Sequence, residues 1–236
     1  GSPCQIHGLY SFFGGNPQNL FTADIVCHGV PSQKLFDKYI AWLGEKQRGK
    51  ILYYGFRDKD VAGWSCGGKT KTKTKTKTKV INGSVDPYYS SFMRGETYRL
   101  SCYRCPFASV ERRPGDITMG DFWGIEFAHP EFYSKNGVSC CMVNTEKGRE
   151  LFERIKNRLE CIETTAEKIT AKNGNLLHPT AKPSVRDSVY SGIDDLPAGK
   201  FIPRLYAPLH KRFVRLVISK IPHGVKTWIK KVVYWH

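Results

Sequence analysis

From Lys69 to Lys79 lysine and threonine alternate without a break. Only an extended strand has a period of two; a helix, turning every ~3.6 residues, would spread the lysines around its circumference. In a strand all six lysines share one face, with successive ammonium groups roughly 6.7 Å apart. Neither face of the tract is apolar, which predicts an exposed edge strand or a projecting ribbon rather than a core strand. Lysine there would block edge-to-edge association. A polyanion-binding arm is the alternative use of the same face.

The positive balance sits in two places. The net charge is +16; the Lys–Thr tract carries six lysines, and Lys200 to His236 carries nine Lys or Arg, with no acid in either. The remaining body is close to neutral, so the basicity belongs to appendages and argues against nucleic acid as the partner of the core. At 236 residues with 40% hydrophobic content, the chain can bury a real core as one domain or one domain plus an appendage. No apolar run approaches the roughly 20 residues of a membrane span, and nothing reads as a secretory leader.

The chain has an α/β rhythm. A turn at Pro3 leads into a short helix ending near Gly14-Gly15, Phe21 to Cys27 reads as a buried strand, and Ser32 caps a helix carrying Leu35, Phe36, Tyr39, Ile40 and Leu43. Ile51 to Phe56 is a further strand, Asp86-Pro87 starts a helix, Val138 to Val143 is β-like, and Glu146 to Glu160 is a helix capped by Thr145. Residues 164–199 read as loops around short helices. In the tail, Phe213, Leu216, Val217 and Ile221 line one amphipathic stretch, and Val225, Trp228, Ile229, Val232, Val233 and Trp235 a second.

The chain has eight cysteines but is too large and hydrophobic to need a disulfide framework, so reduced thiols in a cytoplasmic protein are expected. Cys102-x-x-Cys105 is followed directly by Pro106, and Cys4 and Cys27 each sit at a Gly- or Pro-marked turn. Cys66, Cys140, Cys141 and Cys161 have no such setting. By itself the C-x-x-C fits zinc, an iron–sulfur cluster, a redox dithiol or two buried thiols; zinc would be expected with a second C-x-x-C or a spaced His pair, and neither occurs.

Five blocks add specificity: Gly1-Ser2-Pro3-Cys4-Gln5-Ile6, Asp24 to Ser32 (DIVCHGVPS), Phe56-Arg57-Asp58-Lys59, Ser101-Cys102-Tyr103-Arg104-Cys105, and Gly115 to Gly124 (GDITMGDFWG). In this order they resemble the signature blocks of the coenzyme F-420 hydrogenase/dehydrogenase beta-subunit family, over roughly residues 1–190. The resemblance implies one [4Fe-4S] cluster held by Cys4, Cys27, Cys102 and Cys105, the four cysteines singled out by their local setting. It also implies a flavin, FAD in preference to FMN, near Gly1, Ser2, Gln5, His28, Gly29, Thr118, Gly120 and Asp121. His28, Asp121 and Trp123 also have plainer readings as a turn histidine, a turn carboxylate and a packing residue, and Arg57 and Asp58 as a pair at a strand end. The first residue lies inside the first block, so an upstream ferredoxin-like segment is expected.

The expected fold is an α/β mixed sheet flanked by helices, with an iron–sulfur-binding loop region and a basic amphipathic helical tail, divided into residues 1–199 and 200–236. The expected function is an iron–sulfur flavoprotein oxidoreductase that passes electrons between the cluster and a flavin, with hydride transfer to or from a deazaflavin-like or other acceptor. The alternatives are a non-catalytic electron-relay or scaffolding module of a larger redox or polysaccharide-synthesis complex, and a zinc-stabilised polyanion binder. Expected partners are a redox protein or the upstream ferredoxin-like domain. Residues 211–235, basic and amphipathic, are expected either to pack on the domain or to lie on an anionic membrane, the inner membrane face for a cytoplasmic protein.

Overall fold

Gln5 sets the first helix, Pro3–Phe13: its side-chain carbonyl turns back to accept from the backbone N–H of Ser2 at 2.8 Å and from its hydroxyl at 2.9 Å. Pro3 fits the first helical position, where its missing N–H costs nothing. In the computed structural model, which describes residues 1–64, 67–73, 78–221 and 224–225, the chain divides into two compact units. The first comprises Gly1–Val30 and Tyr98–Lys182, the second Pro31–Thr97 and Pro183–His236.

The first unit is built on the mixed sheet that the sequence leads one to expect. Strand β1 (Ala23–Ile25) pairs in parallel with Ile117–Asp121, which pairs antiparallel with Ser139–Val143. The expected strand at Phe21 to Cys27 is shorter than its apolar run, although Val26 N–H still reaches Met119 O at 2.8 Å. Thr145 caps the helix Glu146–Ile155 by accepting from Gly148 N–H, and its hydroxyl donates to Asp116 at 2.7 Å. The rest of the expected 146–160 helix continues as a 3-10 turn, Lys156–Arg158. Lys147 donates to Asn16 Oδ1, Pro17 O and Leu20 O, pinning the loop before β1.

The second unit holds an antiparallel sheet in which β2 (Ile51–Gly55) and β4 (Lys79–Asn82) flank β3 (Gly67–Thr72). Lys69 to Thr72 belong to the central strand, which corrects the expectation of an edge for that part of the Lys–Thr tract, whereas Lys79 opens the edge strand β4. Thr70 and Thr72 are buried, Lys71 is exposed and Lys69 pairs with Asp58. Threonine can line a covered face because its methyl packs; the Thr70 hydroxyl finds a partner there, while that of Thr72 is buried without one among the described residues. Gln47, on the Ser32-capped helix Gln33–Gln47, donates from Nε2 to Thr70 Oγ1 at 3.0 Å. Residues 74–77 of the tract lie outside the described residues.

The core of this unit gathers Leu35, Tyr39, Trp42, Leu43, Ile81, Tyr88, Phe201, Ile202 and Leu205. Tyr39 stacks on Tyr88 with centroids 4.8 Å apart, and its hydroxyl donates to Asp86 at 2.9 Å. Asp86 also caps the helix Pro87–Met93. The helix Ala198–Phe201, which spans the expected boundary at 199, and the 3-10 turn Ile202–Leu205 beyond it both supply core residues. The first amphipathic stretch of the tail forms the helix Leu209–Lys220; the second, from Lys226 on, lies outside the described residues.

Candidate cysteine site

Three segments of the first unit bring the four expected ligands forward. Cys4 sits in the first turn of Pro3–Phe13, where the positive end of the helix dipole favours anionic groups. Cys27 lies just beyond β1. Cys102 and Cys105 lie on and just past the 3-10 turn Leu100–Arg104. The Cys27 and Cys102 turns are tied by backbone: Arg99 N–H donates to Val30 O at 2.9 Å, and Cys102 N–H to Arg99 O at 2.9 Å.

Tyr98 joins the same turns through its side chain. Buried at 2% exposure, it hydrogen-bonds through its hydroxyl to His28 Nδ1 at 3.0 Å and stacks on Tyr103 at 5.8 Å. Gly29 presses its backbone onto the Tyr98 ring at φ 142°, and a Cβ there would meet the ring at 2.3 Å. No other residue type fits that turn without moving it.

Cys27 is the cysteine on which the other three converge. Burial raises the Cys27 thiol pKa, and the charges of Cys102, Cys4 and Cys105 raise it further. Charge effects of this kind fade with distance, so these three are the near neighbours of Cys27. The other described cysteines are set apart from this group. Cys140 is buried, and burial first, then Cys141 and Asp121, push its pKa to about 11; Cys141 is raised by burial and by Cys161. Cys66 lies outside the described residues.

Among the described residues no group of three or more His, Cys, Asp or Glu is close enough to hold a metal ion as the side chains stand. A single tetrahedral zinc, with bonds of about 2.3 Å, needs its sulfurs within about 3.8 Å of one another. In a cubane each thiolate binds a different iron, so the sulfurs stand farther apart.

A buried polar network holds the scaffold behind this group, and no sequence pattern signals it. Arg113 pairs with Asp24 and also donates to Thr118 Oγ1, Phe107 O and Ile25 O. Asp24 further accepts from Gly115 N–H at 2.9 Å and Thr118 Oγ1 at 2.8 Å, and Asn144 Nδ2 donates to Thr118 Oγ1 and Gly115 O. Burial opposes ionisation of Asp116, but hydrogen bonds from Thr145 and Thr22 and the charge of Lys147 outweigh it and hold its pKa below the usual range.

The residues expected near a flavin are spread along these elements. Ser2 and Gln5 form the helix-capping pair, and the Gly1 amino group donates to Ala23 O at 2.9 Å. Thr118 is fully buried with its hydroxyl inside the network. Gly120 faces Val26, where a Cβ would come within 2.6 Å of that side chain. His28 feels the charge of Asp121, but burial dominates and lowers its pKa, favouring the neutral ring. Side-chain contact with a ligand is thus closed at Thr118, and the space a Cβ would take at Gly29 and Gly120 is filled by the chain itself.

This unit is a mixed α/β scaffold on which three segments carry Cys4, Cys27, Cys102 and Cys105. A family model for the C terminus of the coenzyme F420 hydrogenase/dehydrogenase beta subunit matches residues 1–168, and the chain belongs to that family. Membership makes it part of a hydrogenase/dehydrogenase-type oxidoreductase. No curated protein and no solved structure matches it.

Proposed function

We propose that the chain is the cluster-bearing part of such an oxidoreductase, with Cys4, Cys27, Cys102 and Cys105 holding one [4Fe-4S] cluster and a flavin exchanging electrons with it. The observation that carries this reading is the backbone bond from Arg99 to Val30 that joins the Cys27 and Cys102 turns, with Cys102, Cys4 and Cys105 near enough to Cys27 to raise its pKa. When bound, the cluster supplies one-electron transfer and the flavin couples it to hydride exchange with a deazaflavin-like or other acceptor. The chain's own residues do the positioning. Tyr98 and Gly29 set the turn carrying Cys27, Arg99 links it to the Cys102 turn, and the partial burial of Cys27 limits water at its sulfur.

A second reading, an electron relay with no flavin of its own, is favoured by the enclosure of Thr118 and the filled space at Gly29 and Gly120. Anaerobic reconstitution of the chain, followed by visible spectroscopy and assay of iron, sulfide and extractable flavin, separates the two. Iron with flavin supports the first reading and iron without flavin the second. Neither iron nor flavin would remove both.

A further inference from the structure

The helix Leu209–Lys220 stands on its unit the opposite way round from an ordinary surface helix. At about 100° per residue, Leu209, Phe213, Val214, Val217 and Ile218 spread over one half of its circumference. All five are exposed, Leu209 at 78% and Phe213 at 67%. The other half meets the unit through polar groups: Arg212 lies 4.0 Å over the Tyr206 ring with its Nε buried, and Asn82 Nδ2 donates to Ser219 Oγ at 3.4 Å. A helix packed on its own domain by the hydrophobic effect would bury its apolar half and leave its arginines in water.

Charge identifies what the outward half meets. Lys211 and Lys220 are exposed along this surface, and no Asp or Glu occurs from Lys200 to His236. A cavity of about 300 Å³ opens beside the first turn; Arg204 and Lys211 line it together with the Arg94–Glu96 ion pair, so cations exceed acids in its wall. Among the described residues no helix is long and apolar enough to cross a membrane. Exposed Leu and Phe beside lysines, on a short helix free of acid, suit the boundary between headgroups and acyl chains.

We propose that the outward half of Leu209–Lys220 docks on an anionic lipid surface, lying in its plane. The family model ends at residue 168, and this inference does not depend on the cluster. The test is sedimentation of the whole chain with vesicles of phosphatidylglycerol and phosphatidylcholine, against phosphatidylcholine alone. Binding to the anionic vesicles only, weakened at high salt, is expected. Phe213→Asp with Val217→Asp, both at exposed positions, should abolish it while circular dichroism and elution volume stay unchanged. Lys211→Gln with Lys220→Gln should lower the partition coefficient roughly thirty-fold. Equal binding to neutral vesicles, no binding, or undiminished binding of the Asp variant would overturn the proposal. So would a dimer that the Asp variant splits, which would make a second copy of the chain the occupant.

Discussion

The Asp24 carboxylate and the Arg113 guanidinium form an ion pair whose side chains are 0% and 1% exposed, across 89 positions of sequence. Each also serves backbone groups, Asp24 at Gly115 and Arg113 at Phe107 and Ile25, so the pair fixes the segment after Cys105 against the end of β1.

Breaking this pair on one side leaves a buried charge without its partner. Asp24→Asn or Arg113→Met is expected to cost about 3–5 kcal/mol in urea denaturation. The double substitution should cost less than the sum of the two, because neither buried charge then remains. Additive losses would mean that the two groups act independently.

The threonine face of β3 is tested by substitution across the strand. Thr70→Val keeps shape and β-propensity but leaves the buried Gln47 amide without its partner, for an expected loss of about 1–3 kcal/mol. Lys71→Ala, on the exposed face, should change stability by no more than about 0.5 kcal/mol. Equal effects at the two positions would return the tract to the edge ribbon that its composition suggests.

What was legible in the chain was local chemistry. Ser32, Asp86 and Thr145 cap helices through bonds to residues three positions on, and each helix starts where the sequence places it. The Lys69 to Thr72 part of the tract was misplaced because the cover for Thr70 comes from Gln47, 23 residues away and on another element. The four cysteines could be singled out by their turns, but a shared cluster was implied only by the family blocks, since spacing does not show which loops converge. Asp24 and Arg113 carried no signal; a buried pair so distant in sequence is visible only in the fold.

Gly29 is expected to tolerate no side chain. Gly29→Ala places a methyl group on the Tyr98 ring at a φ that L residues rarely adopt. Thermal unfolding should show a loss of about 1–3 kcal/mol from backbone strain alone, with the overlap adding to it. An alanine variant as stable as the parent would show that the turn is not pressed against Tyr98.

Asp86 makes the second unit sensitive to pH. Desolvation raises its pKa from 3.8 to about 6, against lowering hydrogen bonds from Tyr89 and Tyr39. The folded chain then binds the proton more tightly than the unfolded one, so this contribution is full below the unfolded value and is lost as pH rises through about 6. The expected decline is on the order of 2–3 kcal/mol. Asp86→Asn keeps the helix cap and should flatten the decline when urea denaturation is repeated between about pH 4 and pH 8. A decline unchanged by the substitution would assign it to another group.

Whether Cys4, Cys27, Cys102 and Cys105 share one cluster is decided by the iron content per chain after anaerobic reconstitution. The parent is expected to hold about four irons with matching sulfide. Cys102→Ser should lose most of both, with the absorbance near roughly 400 nm that thiolate-bound iron–sulfur centres show. Cys140→Ser and Cys161→Ser should keep them. Full iron retention in Cys102→Ser, or its loss in Cys140→Ser with the fold intact, would contradict the assignment.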